Sequence, residues 1–321
     1  MRIPRIAVAG VVALAGAAAL MIPVGGDDVG SATDPARRAT AMDLSALPDT
    51  PPAKPLRLLF IHHSVGGQML ADPGPAAKLA DSIYTTHPNG GGLRKRLEAA
   101  RYEVHETSYG STIGEKTDLF DWLPKFRDRM DDVLATSGND TKYDGKTRND
   151  VVVFKSCYPN NRFMDEGEAP GDPKGPELTL WNAKATLNAL LPELARHPDT
   201  LFVYMTAPPV APRGYTEPVW KWMAKKVLRK PPIAATVRRQ GEIAREFNDW
   251  VASPDGWLAG YPHRNVVVFD LYDVLTGGAS NLSRFPTGDG DDSHPSSAGN
   301  QQAAERFVGF LNRAVHRAGI E

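Results

Sequence analysis

Leu58-Leu59-Phe60-Ile61-His62-His63-Ser64-Val65-Gly66-Gly67 reads as an apolar strand that runs straight into a serine and a pair of glycines. The strand is read over Leu56 to His62, and the glycines relieve crowding where the chain turns, so the Ser64 hydroxyl sits at a strand end. The same rhythm recurs down the chain. Glu103 to Tyr109, Val151 to Ser156, Leu201 to Thr206 and Val266 to Leu271 are further strands. Helical spacing separates them over Leu93 to Arg101, Asp118 to Leu134, Leu180 to Arg196 and Ala235 to Val251, with Ala303 to Val315 last. The run Val151-Val152-Val153-Phe154 has no polar alternation and marks a central strand buried on both faces.

Alternation of this kind predicts a three-layer α/β/α fold on a parallel, flavodoxin-like five-stranded sheet. Right-handed crossovers place all strand C-termini on one edge, where ligands of such sheets bind. Ser64, Gly110 and Asn160 each follow a strand and gather there.

A serine hydroxyl is a weak nucleophile at neutral pH and needs a base, which in turn needs an orienting group. Near the C-terminus, Asp291-Asp292-Ser293-His294-Pro295 precedes the last helix. His294 is the candidate base and Asp291, three residues before it, the candidate orienter; Asp292 is an adjacent spare. The plainer alternatives are a helix-capping role for Asp292 and Ser293, and for Ser64 at the helix that follows it.

The pairing of Ser64 after the first strand with a late D-x-x-H-P-x(3)-G pattern, Asp291 to Gly299, resembles the SGNH (GDSL-type) hydrolases. The resemblance spans most of the chain beyond about residue 55 and implies a serine esterase without a cofactor. It implies Ser64 as nucleophile, His294 as base and Asp291 as acid. It also implies an oxyanion hole built from the Ser64 amide, the Gly110 amide and the Asn160 side chain. Gly114 and Asn161 are the runners-up. Where the family has G-D-S, this chain has His62-His63-Ser64, and the family's G-x-N-D after the third strand is absent. His63, in the place of the family's aspartate, is a candidate substrate contact.

His62 and His63 with Asp289, Asp291 and His294 are an alternative set of metal ligands, although no H-x-x-x-H or H-E-x-x-H spacing supports them; no metal is assigned. Gly90-Gly91-Gly92 lacks the Lys and Ser/Thr of a phosphate loop.

The remaining features bound the class. The chain has 321 residues, 41% apolar and 23% charged, and a formal charge of −1, which gives no argument for nucleic acid as a partner. Arg2 and Arg5 precede an uncharged run from Ile6 to Val24, and Gly30-Ser31-Ala32 offers a cleavage point after Ala32. Residues 1–32 therefore read as a signal peptide, or as an uncleaved anchor that would be the only membrane contact. No cysteine closes the run, which excludes an acylated lipoprotein. The expected location is secreted or extracytoplasmic. Residues 33–55 read as a flexible linker and 56–318 as the catalytic domain. Cys157, the single cysteine, ends an apolar strand and reads as a small buried hydrophobe, so no internal disulfide forms. Arg213 to Pro232, with Tyr215, Trp220 and Trp222 ahead of four basic residues, reads as an insertion, either a substrate-facing lid or a plain amphipathic helix. The expected substrate is a small-molecule, glycan or lipid ester. A non-catalytic carbohydrate- or surface-binding protein on the same scaffold is the reading from another class, and a metal-dependent hydrolase the third.

Overall fold

Five short strands pair in parallel: four are essentially apolar runs buried on both faces, while the edge strand Tyr102–Thr107 alternates with polar residues and leaves Glu103 exposed. The protein is described by a computed structural model over residues 44–212, 226 and 233–321. The strands are β1 (Leu56–Ile61), β5 (Tyr102–Thr107), β8 (Val151–Lys155), β9 (Leu201–Met205) and β10 (Val266–Phe269). Between them lie the short strands β2 (Asp72–Pro73), β3 (Ala77–Ala80) and β4 (Ile83–His87), and the hairpin β6 (Thr136–Gly138) with β7 (Thr141–Lys142). The large sheet has the order β10-β9-β8-β1-β5, all parallel, which counted along the chain is 2-1-3-4-5. This is the flavodoxin-like order expected from the sequence.

The helices are α1 (Ser64–Leu70), α2 (Leu93–Ala99), α3 (Trp122–Ala135), α4 (Leu180–Ala195), α5 (Ile233–Ala252), α6 (Leu271–Thr276) and α7 (Ser297–Ala318). Strand residues alternate between two apolar cores. Leu59, Ile61, Val152, Phe154, Phe202 and Tyr204 face α3, α4 and α5 through Trp122, Phe126, Leu187 and Phe247. Leu58, Phe60, Val151, Val153, Val203 and Phe269 face α1, α2, α6 and α7 through Met69, Leu97, Leu275, Phe307 and Leu311. Burying each such aliphatic side chain stabilises the fold by roughly 1.5–3 kcal/mol.

Three features depart from the sequence reading. Helix α1 begins at Ser64 itself, although its first four residues include two glycines. The glycines are there for packing: a Cβ on Gly66 would come within 2.3 Å of His62 Cβ, and one on Gly67 within 1.8 Å of the Ser82 carbonyl oxygen. Helix α7 begins six residues before the expected Ala303, because the bare Gly299 lets the Phe285 ring lie against its first turn. The final part of the stretch read as a linker is bound to the domain. Leu44 is buried, Asn312 donates to the Asp49 carbonyl at 2.7 Å, and Arg313 pairs with Asp49 at 2.9 Å. The targeting segment, residues 33–43 and the Arg213–Pro232 insertion, Lys226 excepted, lie outside the described residues.

Candidate active site

The C-terminal ends of the parallel strands bring Ser64, the 108–115 loop and the 156–161 turn to one edge of the sheet. Ser64 opens α1 directly after β1, and His63 is its N-cap residue, with no side-chain capping bond. The serine hydroxyl is not spent on the helix end either, since its partners are His294 and Cys157. Its Oγ lies 2.9 Å from His294 Nε2, across 230 residues of chain. On the far side of the ring, His294 Nδ1 lies 2.6 Å from Asp292 Oδ1, and the same oxygen accepts the His294 backbone N–H at 2.9 Å. A carboxylate oxygen only accepts, so Nδ1 carries the hydrogen and Nε2 is left to accept from the serine.

The carboxylate in this arrangement is Asp292, which corrects the assignment of Asp291. The segment before His294 is extended: Asp292 forms an antiparallel bridge with Thr287, and the Thr287 hydroxyl donates to the His294 carbonyl at 2.7 Å. Side chains in extended chain alternate with a period of two. Asp292 and His294 thus share one side. Ser293 turns inward and is buried, where its Oγ accepts the Ala211 N–H at 3.0 Å. Asp291 is exposed and makes no hydrogen bond among the described residues. Gly288 and Gly290, both at positive φ, supply the tight turn that lets the bridge form. The Tyr158 ring stands edge-on to His294, 5.3 Å between centroids, and limits where the imidazole can go.

The neighbours of Ser64 are unusual for a hydroxyl nucleophile. Cys157 Sγ lies 3.5 Å from its Oγ, so the buried cysteine forms part of the wall of the site. His63 turns away from the Ser64 hydroxyl. Its Nε2–H donates to the Gly114 carbonyl at 2.9 Å and its ring stacks on Tyr109 at 3.5 Å between centroids. Burial, with the charges of Lys155 and His62 nearby, pushes the His63 imidazole down to about 4 despite the Gly114 carbonyl, so the ring is neutral at ordinary pH. His63 thus ties the 108–115 loop to the nucleophile turn, and no substrate contact is needed to explain it. Lys155, fully buried at the end of β8, is also pushed down by burial and donates to the Ser156 carbonyl at 3.1 Å. His87, at the end of β4, was not singled out by sequence. Burial lowers its proton affinity, and the charge of His294 lowers it further. No spacing signal marks it, because β4 is reached only through the small sheet.

The expected oxyanion donors are largely occupied. The Gly110 amide, in a turn at φ 78°, donates to Glu115 Oε2 at 2.5 Å. Gly114 donates to Ser111 Oγ at 2.8 Å. The Asn160 side chain accepts from the Leu119 N–H at 2.7 Å and donates to Asp118 Oδ1 at 2.9 Å and the Cys157 carbonyl at 3.3 Å. Asn161 bridges the Ala207 and Pro208 carbonyls and accepts from Asn248, a purely structural tie. The Ser64 amide lies in the first turn of α1, where no intrahelical carbonyl is in reach. Among the described residues no three His, Cys, Asp or Glu side chains converge as metal ligands, and His62 is turned to Glu106, with its Nε2 2.8 Å from Oε2.

No family model matches the chain, and no curated protein matches it. Solved structures overlap it in part. A catalytic mutant of Axe2, an acetylxylan esterase from Geobacillus stearothermophilus, is 14% identical over 84% of this chain and 96% of its own, with a TM-score of 0.39. LAE5, an alpha/beta hydrolase from the metagenome of Lake Arreo, is 12% identical over 84% and 97%, with a TM-score of 0.38. Est2A, an acetyl xylan esterase from the rumen bacterium Butyrivibrio proteoclasticus, is 13% identical over 83% and 66%, with a TM-score of 0.37. Overlap this partial says nothing of this chain's chemistry.

Proposed function

We propose that the protein is an exported SGNH-like serine hydrolase that cleaves an acyl or acetyl ester of a small molecule, glycan or lipid. The observation that carries this is the continuous relay Ser64 Oγ–His294 Nε2, 2.9 Å, and His294 Nδ1–Asp292 Oδ1, 2.6 Å. Ser64 Oγ attacks the ester carbonyl as its proton passes to His294 Nε2. Asp292 holds the ring in the tautomer that can accept that proton and stabilises the imidazolium that results. The imidazolium then protonates the departing alkoxide, leaving an acyl-enzyme at Ser64. Water, deprotonated by the same Nε2, attacks the acyl carbon, and as the acyl–Oγ bond breaks the imidazolium returns that proton to Ser64 Oγ and the acid leaves. The Ser64 amide is the first oxyanion donor. The Gly110 amide is the second once the Glu115 carboxylate leaves it, which also explains how an anion-binding amide is kept paired in the absence of substrate.

The occupied Gly110 and Asn160 groups favour one competing reading, a non-catalytic carbohydrate- or surface-binding protein on the same scaffold. A serine-directed phosphonate decides between them. The hydrolase is covalently labelled at Ser64 and hydrolyses short-chain nitrophenyl esters or acetylated sugars, and Ser64→Ala does neither. An unlabelled wild-type protein without ester hydrolysis sinks the enzyme reading. Export rests on the sequence of residues 1–32, and fractionation of cells expressing the full chain tests it.

A further inference from the structure

Behind the nucleophile turn lies a chain of charged groups that the proposed mechanism does not use. His62 directly follows β1 and is wholly buried. Both of its ring nitrogens face oxygen acceptors: Nδ1 lies 2.9 Å from the His63 carbonyl, and Nε2 lies 2.8 Å from Glu106 Oε2 on β5. A carbonyl oxygen can only accept, so Nδ1 donates to it, and Nε2 donates to the carboxylate. The other oxygen of Glu106 is held by the Arg94 guanidinium on α2, which also donates to the Val104 carbonyl at 3.1 Å. The His63 carbonyl receives two more donors, the Gly66 N–H at 2.9 Å and the Gly67 N–H at 3.2 Å. It is the acceptor that closes the first turn of α1, with Ser64 inside that turn. Gly66 lies bare against the same ring, since a Cβ there would meet His62 Cβ at 2.3 Å.

We infer that the Arg94–Glu106–His62 chain is a positioning device for the nucleophile: it fixes the His63 carbonyl, and through it the place of Ser64 Oγ relative to His294. The inference rests on Ser64 being a nucleophile. A buried ion pair is often neutral for stability, because desolvation offsets attraction. Stability alone therefore gives little reason for a buried histidine, carboxylate and guanidinium at this point. Geometry gives one, since a displacement of about 1 Å at a reacting atom is enough to cost on the order of a hundredfold in rate. The three residues come from separate places in the chain, the exit of β1, β5 and α2, and meet only at the back of this turn.

Two substitutions at His62 separate its two bonds. His62→Asn keeps a donor near the Nδ1 position and so keeps the bond to the His63 carbonyl. His62→Gln keeps a donor near the Nε2 position and loses that bond. Phosphonate labelling of Ser64 measures nucleophile placement without a bound ester, and steady-state hydrolysis adds kcat and KM. The expected result is a fall of roughly tenfold or more in labelling rate and kcat for His62→Gln, about the loss of one hydrogen bond to a charged donor. KM should stay within about twofold, and His62→Asn should recover most of the rate. Glu106→Gln should fall between them. Arg94→Gln, at the solvent end of the chain, should lose less and gives a folded variant in case His62→Gln is not one. Wild-type labelling rates in folded His62→Gln and Glu106→Gln overturn the inference, as does a loss confined to KM. A wild-type protein that takes no label overturns the hydrolase reading itself and this inference with it, so the two failures are told apart.

Discussion

His294 takes its carboxylate from Asp292, two residues earlier in the chain, while Asp291, three residues earlier, faces solvent. The spacing follows from the backbone. A helical turn would have paired residues three apart, but the Thr287–Asp292 bridge keeps this segment extended.

The first expectation follows directly. Asp292→Asn lowers kcat/KM by on the order of a hundredfold or more, because an amide can donate to Nδ1 and impose the wrong tautomer. Asp291→Asn stays within about twofold of wild type, as befits an exposed side chain without partners. Steady-state kinetics of the two variants on one nitrophenyl ester check this, and the reverse ranking would return the role to Asp291.

Ser64→Ala and His294→Ala are expected to be about equally damaging, and the double variant little worse than either. Groups that act as one unit are grossly non-additive. Circular dichroism should show all three folded, since the Ser64 hydroxyl bonds only to His294 and Cys157 and not to the end of α1. Multiplying losses in the double variant would show that the two side chains act separately.

His63 gives a pH signature. Its imidazole has been pushed down to about 4 by burial, whereas in the unfolded chain it titrates near its ordinary 6.5. Between those values the unfolded chain binds a proton that the folded protein refuses, so stability is lost as pH falls from 6.5 toward 4. Asp270, pushed up to about 6 by burial, acts in the opposite sense over much of that window. Comparison with His63→Gln cancels it, and Gln still reaches the Gly114 carbonyl. Denaturant unfolding at pH 7 and pH 4 should show wild type losing about 2 kcal/mol more than His63→Gln. Equal losses would mean that the buried ring is not held neutral.

His63→Asp should cost roughly tenfold or more in kcat/KM, for a structural reason. It sets a carboxylate against the Gly114 carbonyl and removes the ring that stacks on Tyr109, loosening the loop that carries Gly110. His63→Gln should lose less, since it keeps the donor. Equal and unchanged kcat/KM in both variants would leave His63 without a part in catalysis.

Glu115→Ala should raise kcat/KM by a few-fold. It frees the Gly110 amide from the carboxylate that occupies it, so less has to move when an oxyanion forms. A drop instead would show that the Glu115 contact shapes the loop and that Gly110 is not a donor. Kinetics with two acyl chain lengths distinguish this from a change in substrate fit.

The sequence by itself determined the parallel sheet, and the family resemblance of its motifs is what suggested the approach of Ser64 to His294. Apolar runs such as Val151–Phe154 can be satisfied only by burial on both faces, and alternation with helices makes the strands parallel and leaves one edge for the residues that follow them. Those are averages over many residues and survive local errors. What tertiary structure decided are matters of one or two hydrogen bonds. Sequence offers both Asp291 and Asp292, and only the bridge to Thr287 selects between them. Gly110 and Asn160 stand where the resemblance puts oxyanion donors, yet Glu115 and Asp118 hold them through contacts that no spacing encodes. Helix α1 contradicts the low helix propensity of its glycines, because close approach to His62 and Ser82 requires them. The meeting of His62 with Glu106 and Arg94 likewise depends on β1, β5 and α2 lying side by side, a proximity that exists only once the sheet has formed.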